Sequence, residues 1–142
     1  MKAIKTIFLS VIAASALVVT QPVCASSYTD AASNAWAASS LMNDANFYSR
    51  ITQEWGDSQA AYEAVAYAGW ATDAAFEAYV DSPVGSYTEE AAAQAMLYAD
   101  DATTYLWMLY TGDYSYLASA MVAIHDASYW MSVAQLFAAW RY

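Results

Sequence analysis

Alanine recurs at alternating spacings of three and four residues along much of the chain, and this pattern limits the folds open to it. Spacings of three and four return a side chain to one face of an α-helix, so the pattern predicts helices that meet along seams of small residues. Small seams let two helix backbones approach closely, with large side chains beside the contact. Two unbroken series are Ala61, Ala64, Ala68, Ala71, Ala75 and Ala78, then Ala92, Ala95, Ala99, Ala102, Leu106 and Leu109.

Glycine and proline interrupt this pattern at three places, which divide residues 26–142 into four segments. Each break is followed by Asp or Ser, which favour helix N-caps, and Ser86 with Glu89 forms a capping-box pattern. Short connections between long helices favour antiparallel neighbours. We therefore predict one all-α domain over 26–142, an antiparallel up-down-up-down four-helix bundle with Ala-rich seams. Its predicted helices cover about 29–54, 58–80, 87–110 and 114–140.

Residues 1–25 have the three parts of a secretory signal peptide. Lys2 and Lys5 precede an uncharged, mostly apolar run over 6–20, and Val23 and Ala25 suit the −3 and −1 positions of a cleavage site. The apolar run is shorter than the roughly 20 residues that span a bilayer, which disfavours an uncleaved anchor. The pattern predicts cleavage after Ala25 and an exported protein, either periplasmic or extracellular.

Cleavage would also change the chemistry of the chain. Cys24 is the only cysteine, and the residues before it poorly match the leucine-small-small-cysteine pattern of lipoproteins, so the mature chain would lack thiol chemistry. Removing Lys2 and Lys5 moves the net charge from −10 to −12 and leaves Arg50 and Arg141 as the basic residues. This balance excludes nucleic-acid binding and disfavours anionic lipid surfaces. A cation, a basic partner or plain solubility remains open.

Each predicted helix carries an Asp-Ala pair near its middle, by duplication or by convergence on one packing solution. In an antiparallel bundle these midpoints lie level, so the carboxylates could converge and bind a divalent cation through oxygen ligands. Alternatively each Asp lies beside its seam and faces water. The Glu-x-x-His motif of dinuclear bundle proteins is absent. The candidate metal ligands are Asp44, Asp73, Asp101, Asp126 and His125.

His125, the single histidine, could instead pair with a methionine to ligate haem, as in haem-binding four-helix bundles. Its counterparts in the other segments are Asn43, Thr72 and Asp100, and these polar residues indicate a position that faces solvent. No serine, histidine and aspartate arrangement and no glycine-rich phosphate loop is present. We therefore predict no cofactor and no enzymatic activity.

The fourth predicted helix is apolar on nearly every face, although each helix of a four-helix bundle normally keeps one face in water. The chain also has 6 Trp and 13 Tyr, too many for one small core, and such residues are typical of interfaces. We predict self-association or a protein partner on this helix, and as an alternative a small apolar or aromatic ligand enclosed by the bundle. Membrane insertion is disfavoured because His125 and Asp126 would be costly in lipid. The predicted interface residues are Tyr129, Trp130, Val133, Phe137 and Trp140.

Overall fold

A computed structural model describes residues 25–142 of the chain, which form four α-helices and one short 3-10 helix. No strand occurs over these residues, so the prediction of an all-α chain with four helices is confirmed. The predicted signal peptide, apart from Ala25, lies outside the described residues. The helices are α1 (Ala25–Trp55), α2 (Ser58–Asp81), α3 (Tyr87–Tyr110) and α4 (Leu117–Trp140).

Helices α2 and α3 begin at side chains that accept hydrogen bonds from their free backbone N–H groups. Asp57 Oδ1 accepts hydrogen bonds from the backbone N–H groups of Gln59 and Ala60, at 2.8 and 3.2 Å. Ser86 Oγ accepts from the backbone N–H of Glu89 at 3.1 Å. These bonds replace the intrahelical partners that the first turn of a helix lacks.

Glycine marks each of the three connections. Gly56, Gly85 and Gly112 have φ angles of 65°, 78° and 96°. This region of backbone space is strained for residues with a Cβ atom and open to glycine. The chain therefore changes direction where the sequence provides a residue that can do so without strain.

The start of α4 differs from the prediction. Tyr114–Tyr116 form the 3-10 helix, and α4 follows from Leu117. Asp113 Oδ1 accepts from the backbone N–H and the hydroxyl group of Ser115, at 3.2 and 2.6 Å. Asp113, which follows the third break and is the expected N-cap of α4, therefore caps a separate short turn.

The helices pack in a ring, in which α1 contacts α2, α2 contacts α3, α3 contacts α4, and α4 contacts α1. Several contacts join the beginning of one helix to the end of its neighbour. Asn34 Nδ2 donates to Asp81 Oδ2 at 2.8 Å, and the rings of Tyr62 and Tyr110 lie 5.9 Å apart. Two further contacts of this kind join Ser49 to Met121 and Tyr87 to Phe137.

Alanine dominates the interior and aromatic residues dominate the exterior. Of 27 buried apolar residues in the described part, 21 are alanine. Protein interiors are closely packed, so a core of single methyl groups leaves no room for large rings between the helices. Five of the six tryptophans are accordingly about half exposed or more, namely Trp36, Trp55, Trp70, Trp107 and Trp140.

Candidate interaction surface

A row of large apolar side chains runs along the outward face of α4. Val122, Tyr129 and Leu136 recur every seven residues, and Trp140 follows one turn later. Their exposed fractions are 61%, 57%, 47% and 65%. A seven-residue interval returns a helical side chain to almost the same direction, so these four side chains share one side of the helix. We call them the α4 outward row.

Smaller exposed residues complete this face with a regular spacing. These smaller residues alternate with the first three members of the α4 outward row, so that the combined series has spacings of four and three residues. Every residue of the series is exposed. The smaller residues are Ala118, His125, Ser132 and Ala139. The same helix buries a second apolar series on its opposite side, formed by Ala120, Ile124, Ala127, Met131, Ala134 and Ala138. Helix α4 therefore has the residue pattern of a helix-helix contact on both sides, and only the inner one is packed in the described chain.

The outward face of α4 carries no Asp, Glu, Lys or Arg. The single residue of these types within Leu117–Trp140 is Asp126, which lies on the side of the helix toward α3. The other three helices each carry at least three carboxylates. In a chain with 14 acidic residues, α4 thus has the helix surface with the fewest negative charges.

The five predicted interface residues divide into two groups. Tyr129 and Trp140 are exposed. Trp130, Val133 and Phe137 are half-buried and pack against the core. The α4 outward row includes two residues outside the predicted set, Val122 and Leu136. Each lies seven residues from Tyr129, and this spacing is the sequence signal that places them on the same side of the helix.

Phe137 shows why the inner group turns away from solvent. Its ring lies 5.7 Å from the ring of Tyr87 on α3. Trp130 is half-buried and packs against both clusters of buried residues. The three side chains of the inner group pack against the core. The rings of Tyr129 and Trp140 lie 5.4 and 6.4 Å from those of Trp130 and Tyr142 but remain exposed, so a second molecule could cover them.

The candidate metal ligands do not gather around one point. Asp44, Asp73, Asp101 and His125 are exposed, and Asp126 is half-exposed. Within residues 25–142 no three or more His, Cys, Asp or Glu side chains are placed to hold a metal ion. Asp101 and Asp126 line the same groove, while Asp44 and Asp73 belong to other helices.

That groove, of about 380 Å³, lies between α3 and α4 and is open to solvent. Helix α3 contributes Tyr98, Asp101 and Tyr105 to its lining. Helix α4 contributes Ser119, Val122 and Asp126. We call this site the α3–α4 groove.

A second aromatic surface lies between α1 and α2. Neighbouring ring centroids along it are 5.3, 5.4 and 5.2 Å apart, and the central pair is stacked with 8° between the ring planes. The surrounding groups, first Tyr48, then burial and the carboxylates of Asp44 and Glu63, raise the pKa of Tyr67. Negative charge therefore lies beside these rings. We call this surface the α1–α2 aromatic row, formed by Phe47, Tyr48, Tyr67 and Trp70.

Carboxylates also crowd one end of the same helix pair. Burial, and then the nearby carboxylate of Asp30, raise the pKa of Asp81 above its ordinary value of 3.8. The hydrogen bond from Asn34 acts in the opposite direction. The α1–α2 side thus differs from α4 in charge more than in aromatic content.

Over residues 25–142, no helix combines the length and apolar character needed to cross a membrane. No protein-family model matches this sequence, and comparisons with curated proteins and with solved structures likewise found no match.

Proposed function

We propose that this protein is an exported, non-enzymatic interaction or structural protein that self-associates through the α4 outward row. The proposal rests on the exposed apolar face of α4. Its residues recur at the spacings of a helix-helix contact, and it carries no Asp, Glu, Lys or Arg although the chain is strongly acidic. Contiguous exposed apolar patches of this kind are typical of interaction sites. Export is supported by the signal-peptide pattern of residues 1–25.

The finer architecture belongs to the same proposal, an antiparallel up-down-up-down four-helix bundle. The bond from Asn34 near the start of α1 to Asp81 at the end of α2 supports it. The contact of Tyr87 at the start of α3 with Phe137 near the end of α4 supports it as well. Parallel neighbours would instead bring equivalent ends together.

A second copy of this chain is the partner that the charges favour. Two molecules of net charge near −10 repel one another, and the repulsion is least where neither surface carries carboxylates. A basic partner would gain more from surfaces rich in Asp and Glu than from α4. Identical copies can pair through a self-complementary face around a two-fold axis.

The polar residues within the seam favour one orientation. In an antiparallel pair of α4 helices centred near residue 129, His125 of one copy lies level with Ser132 of the other. These two side chains can form a hydrogen bond across the interface, and polar residues at seam positions specify register. The large side chains of Val122 and Leu136 then lie level with each other on either side of this pair.

The alternative of an enclosed apolar ligand has less support. Ala38, Ala68, Ala99 and Ala127 are fully buried, one on each helix, which brings the four backbones close to the bundle axis. The described α3–α4 groove is open and lined by two carboxylates, which is poor chemistry for a purely apolar ligand.

Sedimentation equilibrium over a wide concentration range tests the proposal, using protein expressed from the complete sequence. We expect reversible association of the wild-type protein at tens of micromolar. Leu136→Glu should weaken it roughly 100-fold, because two-fold pairing would introduce two charges into one apolar contact.

Leu97→Glu provides the matched control. Leu97 is 50% exposed on α3, close to the 47% of Leu136, and the substitution introduces the same charge. Its association should equal that of the wild-type protein. A monomeric wild-type protein at 100 μM, or equal losses in both variants, would refute the proposal.

A further inference from the structure

The α3–α4 groove combines two carboxylates with two phenol rings. Tyr98, Asp101 and Tyr105 follow a spacing of three and four along α3, and Ser119, Val122 and Asp126 do the same along α4. Regular helix geometry therefore turns both sets toward one site, where they line the same groove. Self-association through the α4 outward row leaves the two rings and two carboxylates without an assigned role.

The phenol rings are held in place by the rest of the bundle. Tyr98 and Tyr105 both pack against the main core cluster. The ring of Tyr105 also stacks on that of Tyr116, with centroids 5.8 Å apart and 18° between the planes. A ligand that meets these rings would not need to immobilise them, which lowers the entropic cost of binding.

The carboxylates of the groove have no basic neighbour in its lining. Arg50 and Arg141 are the arginines of the described chain, lysine is absent there, and neither arginine lines the groove. The large negative charge of the whole molecule adds to the attraction that Asp101 and Asp126 exert on a cation.

The number and type of ligand side chains in the groove indicate which kind of cation it could bind. Calcium takes six to eight oxygen ligands, and magnesium requires near-octahedral geometry. Two carboxylates do not meet either demand, and the described residues provide no third carboxylate or imidazole here. An organic ammonium ion needs no such ligand set, and it gains from contact with aromatic faces.

We propose that the α3–α4 groove binds a small organic ammonium ion, with Tyr98 and Tyr105 against its alkyl groups and Asp101 and Asp126 balancing its charge. The groove, with a volume of about 380 Å³, has room for such an ion. The proposed self-association shares Val122 with this groove, but the two rings and two carboxylates that would bind the ion lie outside the α4 outward row.

Proton NMR with tetramethylammonium chloride as the probe tests this site on protein expressed from the complete sequence. We expect a saturable upfield shift of the methyl resonance, caused by the ring currents of the tyrosines. Asp126→Asn should weaken binding about three- to fivefold, and Tyr105→Leu by a similar factor with a smaller limiting shift. Tyr105→Phe retains the ring and should retain both affinity and shift, which separates loss of the aromatic face from loss of folding.

Two controls make the result decisive. Asp73→Asn removes one exposed carboxylate from α2, outside the groove, and should bind the probe as the wild-type protein does. Leu136→Glu should also retain probe binding, because the two rings and two carboxylates of the groove belong to one chain and none of them is in the α4 outward row. The proposal fails if no saturable shift appears, if Asp73→Asn weakens binding as much as Asp126→Asn, or if micromolar calcium displaces the probe.

Discussion

The α4 outward row and the α1–α2 aromatic row are both apolar, supported by the same alanine core and provided with exposed side chains, but they differ in their surroundings. The rings between α1 and α2 contact one another in succession, and Asp44 and Glu63 lie close enough to raise the pKa of Tyr67. The outward face of α4 carries no Asp or Glu of its own, and the nearby carboxylates of Asp101 and Asp126 line the α3–α4 groove beside Val122, at one end of the row. Exposed rings alone therefore do not identify an interface, because the charges beside them decide whether two acidic molecules can meet there.

The two surfaces also differ in periodicity. The outward face of α4 repeats the four-and-three spacing of its buried face, so it presents a second seam to a partner helix. The α1–α2 aromatic row is instead a cross-helix cluster, with two rings from each helix that fill the groove between them. A cluster of this kind already has its partners within the chain.

Filling the polar gap in the α4 seam should strengthen association. Ser132→Leu places a large apolar side chain among Tyr129 and Leu136, and a two-fold interface contains the substitution twice. The substitution also removes the proposed hydrogen bond between Ser132 and His125 of the other copy, which contributes about 0.5–1.5 kcal/mol. We expect association to tighten about tenfold, because burying a leucine side chain contributes about 1.5–3 kcal/mol and outweighs that loss. Analytical ultracentrifugation measures the change, and Ser40→Leu at an exposed position of α1 should show none.

Removing negative charge beside the α1–α2 aromatic row should strengthen self-association through that surface. The double variant Asp44→Asn/Glu63→Gln is made in the Leu136→Glu background, in which association through α4 is weakened. Its association constant should be about threefold higher than that of Leu136→Glu alone. The gain is small because only repulsion is removed. Light scattering over a concentration series detects it.

The matched control removes the same two charges elsewhere. Glu54→Gln/Glu90→Gln on the same Leu136→Glu background neutralises two exposed carboxylates of α1 and α3. If this control associates as strongly as the double variant at Asp44 and Glu63, net charge rather than local charge governs the surface, and the comparison with α4 loses its basis.

The smallest effect concerns stability at the crowded end of α1 and α2. Because the folded protein raises the pKa of Asp81, ionisation of this group costs folding free energy, and stability falls as pH rises above 3.8. Asp81→Asn removes that cost and keeps an oxygen to accept from Asn34. We expect a Tm about 1–3 °C higher than wild type at pH 7 and no difference at pH 3.

Asp73→Asn controls for the general reduction of charge on α2, because Asp73 is exposed. Thermal unfolding followed by circular dichroism provides both Tm values. An increase that persists at pH 3, or an equal increase for Asp73→Asn, would contradict the assignment of the effect to Asp81.

Helix content was predictable because its signals are local. The spacing of the alanine seams and the glycines at the three breaks depend on neighbouring residues, and the structure has helices at these segments. Helix ends were predictable only approximately. Helix α1 begins at Ala25, four residues before the predicted start near 29, and α4 begins three residues after the predicted start near 114, because Asp113 caps a 3-10 turn.

The candidate sites were only partly predictable. Tyr129 and Trp140 are exposed, but Trp130 and Phe137 pack against the core, and the ring of Phe137 contacts that of Tyr87 on α3. A helical wheel gives the angle of each side chain around its own axis and not the neighbour that it meets. The same ambiguity made four carboxylates look convergent, whereas two of them, Asp101 and Asp126, share one groove.

The sequence by itself determined four helices, alanine on one face of each, a strongly acidic chain and a surplus of large aromatic residues. Tertiary structure decided which side of α4 is covered by α1 and α3 and which side remains open, and it brought Asp101 and Asp126 to the same groove. The physical reason is that helix formation depends on residues three or four positions apart. Packing instead depends on contacts between residues that lie far apart in the sequence. The residues near each position do not reveal which distant residue it will contact.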